Sequence, residues 1–409
     1  MASAISLSGD WFLLVALFGL VVDLTDSALA VAFLLAAQDL TYFAVSPFTG
    51  VLADRLDRKR LMVVSDIVRA VLCLGFLAVQ SQATLWVVYP LLGVMACFSA
   101  AFEPASVAAL PNLVETEDLA TANALSGSLW GTMLVVGAAV GGLVTAILGR
   151  DAAIAIDAVS FAASAWLIVR IGRSFQEERD AETPEPLGQA ARETLRYARR
   201  DHRVLALLAV KFGWGLAGGV LVLIPLLAKG RFHAGEIGIG LLLAARGLGA
   251  LVGPFVGRAS LGDEDRRLFR TIGVALGVFG AGYALLGIVP GLLLAMPAVA
   301  LAHTGGGAQW MLSSYGLQKI VPDHIRGRIF AFDGMLVTLT FGASSLLTGW
   351  LAEAMGASST AVVMGGVAVV WAGLWAWLTT DVRRATLMEG CGGPAPEDAG
   401  VTGARAIAD

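Results

Sequence analysis

Charge, histidine and cysteine are scarce in this sequence. Only 15% of the 409 residues are Asp, Glu, Lys or Arg, against about 25% in soluble domains, while 57% are hydrophobic, so a water-soluble globular domain is excluded. Three cysteines, Cys73, Cys97 and Cys391, show no paired spacing, which leaves neither a disulfide framework nor a zinc site. The net charge of −4 says little, because the sign of charge by loop matters more than its sum, and nucleic-acid binding has no support. No Walker pattern, nucleophile elbow or metal-ligand cluster is present. Gly238-Ile239-Gly240 follows no strand, so it is no nucleotide loop, and neither an enzyme nor an ATP-driven pump is indicated.

What the chain holds instead is a series of apolar runs of roughly 20 residues, the length of α-helix that crosses about 30 Å of hydrocarbon. They lack the ten-residue alternation of an outer-membrane barrel, so the chain reads as all-α and integral to a membrane. Twelve transmembrane helices are expected, near 2–22, 28–53, 61–80, 84–108, 120–147 and 152–171, then 203–228, 234–257, 269–289, 291–316, 328–350 and 359–380. The first run has no basic segment before it and no small-residue cleavage site, and it reads as a retained helix.

Lys and Arg are missing altogether from residues 1–54. They return in GVLADRLDRKR, residues 50–60, where Arg55, Arg58, Lys59 and Arg60 crowd the turn between the second and third spans. Cytoplasmic loops keep Lys and Arg while translocated loops lack them, so this turn is expected in the cytoplasm, and an even span count then puts both termini there. Of the 28 Lys and Arg residues, Arg150, Lys229 and Arg231 fall in outer loops and Arg69, Lys211 and Arg246 within spans; the rest lie on the cytoplasmic side. The connection between the fourth and fifth spans, the acidic NLVETED, is the exception.

An internal repeat divides the chain. A shift of 207 residues places Leu34, Val45, Pro47, Phe48, Gly50 and Gly149 on identical residues at 241, 252, 254, 255, 257 and 356. Two six-helix halves in parallel orientation follow, residues 1–171 and 203–387, with a cytoplasmic linker at 172–202 and a disordered cytoplasmic tail at 388–409. Such a duplication places a binding site at the midplane between halves. In the linker, Pro184 and Pro186 open a short amphipathic helix expected to turn Leu187, Leu195 and Tyr197 toward the membrane surface.

The pattern Gly50-x-x-x-Asp54-Arg55-x-x-Arg58-Lys59 resembles the signature between the second and third helices of major facilitator superfamily transporters, departing from it at Asp57, where Gly is commoner. GDWFLLVAL in the first span, PASVAALPNLV after the fourth and LLLAARGLGALVGP in the eighth are similar to the branch with macrolide-efflux and siderophore-export permeases. The resemblance implies a monomeric secondary transporter of the inner (plasma) membrane, exporting an amphipathic small molecule by alternating access and driven by the proton motive force without a cofactor. An uptake permease of the same fold and a non-transporting sensor or scaffold are the alternatives. In that branch a few basic residues usually precede the first helix, so the chain is expected to begin upstream of Met1. Gly137-Ala138-Ala139-Val140-Gly141-Gly142 lacks the proline of the exporter motif on helix five, which weakens the case for proton-coupled drug antiport.

Ionisable groups in hydrocarbon cost several kcal/mol and are candidates for function. Asp10, about 15 Å into the first span, is either a carboxylate that binds a proton or cationic substrate or a structural acid beside Ser6 and Ser8. Asp39 and Arg246, equivalent under the repeat, form either an ion pair locking the halves or one that substrate or proton breaks. His303 relays protons or fills a pocket through a hydrogen bond, and Glu103 and Lys211 are further intramembrane charges. Asp66 and Arg69 share a face of the third span and, with Gly50, Asp54, Arg55, Arg58 and Lys59, form an expected charge network that clamps one conformational state. The family resemblance implies that Asp54 lies against the start of the eleventh helix, near Gly327–Phe330.

Overall fold

The computed structural model describes residues 2–25, 27–176, 187–261 and 267–380, and no strand occurs among them. The first half comprises α1 (Ala2–Leu24), α2 (Ala28–Arg55), α3 (Arg58–Gly75), α4 (Val88–Leu113), α5 (Leu119–Leu148) and α6 (Arg150–Arg170). After α7 (Leu187–Arg200) the second half begins with α8 (His202–Gly218), which continues through a 3-10 turn, the single turn α9 (Leu223–Leu226) and a π turn to Arg231. It is completed by α10 (Gly235–Leu261), α11 (Leu268–Ile288), α12 (Leu292–Ile320), α13 (Asp323–Met355) and α14 (Ala357–Leu378). Every expected span is found, its ends shifted by a turn or so. Among the described residues eleven helical stretches are long and apolar enough to cross a membrane; α12, at 29 residues, is long enough but diluted by His303, Thr304, Gly305, Gly306, Gly307 and Gln309.

Local chemistry explains the breaks between helices. Asp57 caps α3, its carboxylate accepting from the Arg60 backbone N–H at 2.7 Å, so the departure from the expected Gly gives the helix its start. Gly149 and Gly356, equivalent under the 207-residue shift, each join two helices at φ +87° and +83°, a conformation that favours glycine. The repeat is therefore one of backbone geometry as well as sequence.

The helix that opens the second half is broken inside the membrane, where loose backbone groups need partners. Ser344 on α13 supplies them: its hydroxyl accepts from the Gly219 N–H at 3.1 Å and donates to the Leu216 carbonyl. The backbones approach closely there, since a Cβ on Gly219 would lie 2.3 Å from the Ser344 carbonyl oxygen.

The halves meet through α2 against α13 and α5 against α10. Gly142 and Gly240 touch backbone to backbone, a Cβ on Gly240 reaching within 2.9 Å of the Gly142 Cα. At the ends of these helices far from the basic turn, Lys229 binds Asp23 at 2.6 Å, Glu236 at 2.7 Å and the Gly19 carbonyl at 3.3 Å, while Ser27 donates to Glu353. Toward the basic side the faces part. Gly240, Gly247 and Leu251 of α10 abut α5, yet Phe255, the next residue on that stripe, is 72% exposed. The contacts between the halves that the structure describes thus concentrate on the side away from the basic turn.

The α7 helix departs from expectation at Tyr197. Tyr197 and Ala198 pack against the core while Leu195 is exposed, and Glu193 pairs with Arg328 of α13 at 3.0 Å. The side chain of Leu187, the prolines at 184 and 186 and the expected tail lie outside the described residues.

Candidate functional site

The acid proposed from sequence at the centre of α1 stands among other charges of the first half. The preceding residue, Gly9, lets α1 lie directly on α6: a Cβ there would fall 2.2 Å from Asp157 Oδ1 and from Ser160 Oγ. Asp157 accepts from Ser160 at 3.1 Å and from Cys73 Sγ at 3.4 Å. Asp66 and Arg69 form a buried ion pair, with the guanidinium between Phe102 and Phe161 at 4.8 and 4.4 Å from the ring centroids and 3.4 Å from Ser99 Oγ. Asp10 interacts electrostatically with Arg69, Asp66 and Asp157. Three carboxylates therefore stand around one guanidinium. Glu103, exposed on α4, accepts from Tyr42 at 3.4 Å.

A second group crosses the midplane. Arg246 lies 5.8 Å from the Trp11 ring and 5.6 Å from that of Trp130, and it interacts electrostatically with Asp39 and Tyr283. Asp39 sits where α2 meets α13, its Cβ 3.4 Å from the position of a Cβ on Gly342. Among the described residues the opposite charges of Asp39 and Arg246 do not close into an ion pair. The Tyr283 hydroxyl and His303 Nε2 share a hydrogen bond of 2.7 Å, with Phe279 edge-on to both rings. His303 thus joins Asp39 and Arg246 through Tyr283, a residue the sequence reading did not select.

The third group also contains a residue that reading missed. Lys211 forms a buried ion pair with Asp333 of α13, donates to Ser314 at 3.0 Å and lies 4.3 Å from the Trp310 ring. Next to it Trp214 packs against Trp310, Phe341 and Phe279 with centroids 5.4, 4.8 and 6.1 Å away. A signal for Asp333 existed, because a lysine deep in an apolar span demands an acid. Asp157 was legible too, as a lone acid in the apolar run AAIAIDAVSF.

The structure divides the residues proposed as one network at the basic turn. Asp66 and Arg69 lie deep in the first half. Arg58 Nη1 donates to the Ala108 carbonyl at 2.9 Å, and Lys59 donates to the carbonyls of Val169 and Ile171 at 2.9 and 2.7 Å, so they bind the basic-side portions of α4 and α6. The side chains of Gly50, Asp54 and Arg55 lie outside those described.

Two parallel six-helix halves that meet along α2–α13 and α5–α10 define the class: a multi-pass membrane protein of the major facilitator fold. The chain belongs to the transmembrane secretion effector family of that superfamily, whose model it matches over residues 1–388. It is 24% identical over 394 residues to macrolide efflux protein A of Streptococcus pyogenes, covering 94% of this chain and 95% of that one. To the multidrug efflux pump Tap of Mycolicibacterium fortuitum it is 25% identical over 370 residues, 86% of this chain and 88% of the relative. The fold matches that of a bacterial homologue of the human lysosomal transporter Spinster, solved inward-facing and unoccupied, with TM-score 0.70, 14% identity and coverage of 97% and 98%.

Proposed function

We propose that this transporter exports an amphipathic small molecule across the plasma membrane by alternating access, with protons as the driving ion. The observation that carries the reading is the half-buried Asp10, which joins an excess of carboxylates to the cavity. The charge of that cluster changes by binding a proton, and alternation exposes it to each side in turn. The efflux names of two relatives favour export over uptake. On this reading the basic side is cytoplasmic, and the cavity loads from the cytoplasm.

The test uses everted vesicles and two probes, ethidium and erythromycin. Asp10→Asn should abolish uptake driven by a pH gradient while leaving counterflow exchange, which needs alternation but no proton. Gradient-driven transport at the wild-type rate excludes Asp10 as the coupling acid, and a wild-type protein that moves neither probe counts against export of cationic amphiphiles. Single cysteines placed in the 172–202 linker should resist impermeant thiol reagents in intact cells; labelling from outside reverses the topology.

A further inference from the structure

The groups facing the cavity differ in sign between the halves, and this bears on what the cavity takes, provided the transport reading above holds. In the first half Asp10 and Asp39 are half-buried and Glu103 is exposed. In the second half Lys211 is closed onto Asp333 and Ser314. Arg246 is not closed in this way: its Nε has no hydrogen-bond partner among the described residues, and Trp11 and Trp130 flank it at 5.8 and 5.6 Å.

A guanidinium offers a rigid fork of donors that matches a carboxylate in two parallel bonds. Away from bulk water those bonds gain strength, and the flanking indoles supply apolar surface for whatever carries the anion. A ligand with only an anion would meet the acids opposite. One with only a cation would leave Arg246, whose Nε finds no acceptor among the described residues although Asp39 balances its charge from a distance, without an acceptor for its donors. A ligand bearing both satisfies both walls.

We infer that the cavity recognises a zwitterionic amphiphile, its carboxylate on Arg246 between Trp11 and Trp130 and its ammonium on Asp10 and Glu103. The aromatic group around Trp214 and Trp310 then faces the apolar body of the ligand. This assigns Arg246 a binding role beyond any pairing with Asp39.

The experiment measures tryptophan fluorescence of the full-length protein in nanodiscs titrated with three probes: the dipeptide Phe-Phe, its methyl ester and its N-acetyl derivative. The dipeptide should bind at least about tenfold more tightly than either blocked form, the factor expected for one charge-assisted hydrogen-bonded contact. Arg246→Gln should erase the advantage over the ester, and Arg246→Lys, which keeps the charge but not the fork, should retain part of it. Equal binding of the three probes, binding of none, or an advantage that survives in Arg246→Gln overturns the inference. If wild-type vesicles export ethidium or erythromycin while the zwitterion shows no advantage, this inference falls and the transport reading stands.

Discussion

The two halves share a helix plan and differ in how they hold charge. In the second half Lys211 and Asp333 neutralise each other, with side chains 1% and 3% exposed. In the first half Arg69 neutralises Asp66 and leaves Asp157 and Asp10 in excess around it. A closed pair resists change because removing either partner strands a charge in low dielectric. An excess of acids invites it, since each proton bound reduces repulsion. The fold thus places a closed charge pair in one lobe and a cluster with an excess of acids in the other.

The largest expected effect breaks that contrast directly. Asp333→Asn should destabilise the protein by about 3–5 kcal/mol, the range for stranding one member of a buried pair, seen as a fall in thermal midpoint in detergent. Adding Lys211→Met should recover much of the loss. Asp157→Asn, which lowers an excess, should cost less than about 1 kcal/mol; equal losses at Asp333 and Asp157 would abolish the distinction.

A smaller effect probes where the halves touch. Gly142→Ala would put a Cβ 2.8 Å from the Glu236 carbonyl and 3.0 Å from the Gly240 Cα, backbone atoms that a side-chain rotation cannot clear. Overpacking of about 1–3 kcal/mol should lower the population closed on the outer side. Distances between spin labels on the outer ends of α5 and α10 would lengthen; an unchanged distribution would show that the contact does not hold this state.

Smaller again is the outer clasp. Lys229 is 13% exposed and its partners Asp23 and Glu236 are 45% and 22% exposed, so solvent screens the pairs. Lys229→Gln should shift the same distance distribution by no more than about fivefold, equivalent to about 1 kcal/mol. A larger shift would make the clasp, rather than glycine packing, the principal outer closure.

The smallest effect lies at the junction of linker and second half. Asp201 caps α8 through the Arg203 N–H at 2.9 Å. Burial acts to raise its pKa, but the hydrogen bonds and charge of Arg203 prevail and lower it below the usual aspartate value. Asp201→Ala should cost about 1 kcal/mol at neutral pH. Because the folded value is depressed, the part due to ionisation is full above about 3.9 and disappears as pH falls through the folded value. A mutant gap that persists unchanged at pH 2 would rule out a charged cap.

The sequence by itself determined the spans, the duplication and the distribution of basic loops. Each rests on composition along a helix: apolar runs must match the bilayer, and backbone groups in hydrocarbon must bond within their own segment. The duplication was legible down to Gly149 and Gly356, where two linked helices need the same unusual φ. Lone charges such as Asp10, Arg69, Lys211 and Arg246 were visible because apolar surroundings expose them. Asp66, the partner of Arg69 three residues away, was legible as well; the surroundings of Lys211 and Arg246 were not. Arg246 shared a repeat position with Asp39, yet it stands between two tryptophans from α1 and α5 without closing on that acid. Lys211 found an acid 122 residues away, and Ser344 repaired a helix 125 residues before it. Only the tertiary structure decided these matters, because helix rotation and close glycine contacts select which side chains meet, and neither is encoded in the hydropathy of any one span.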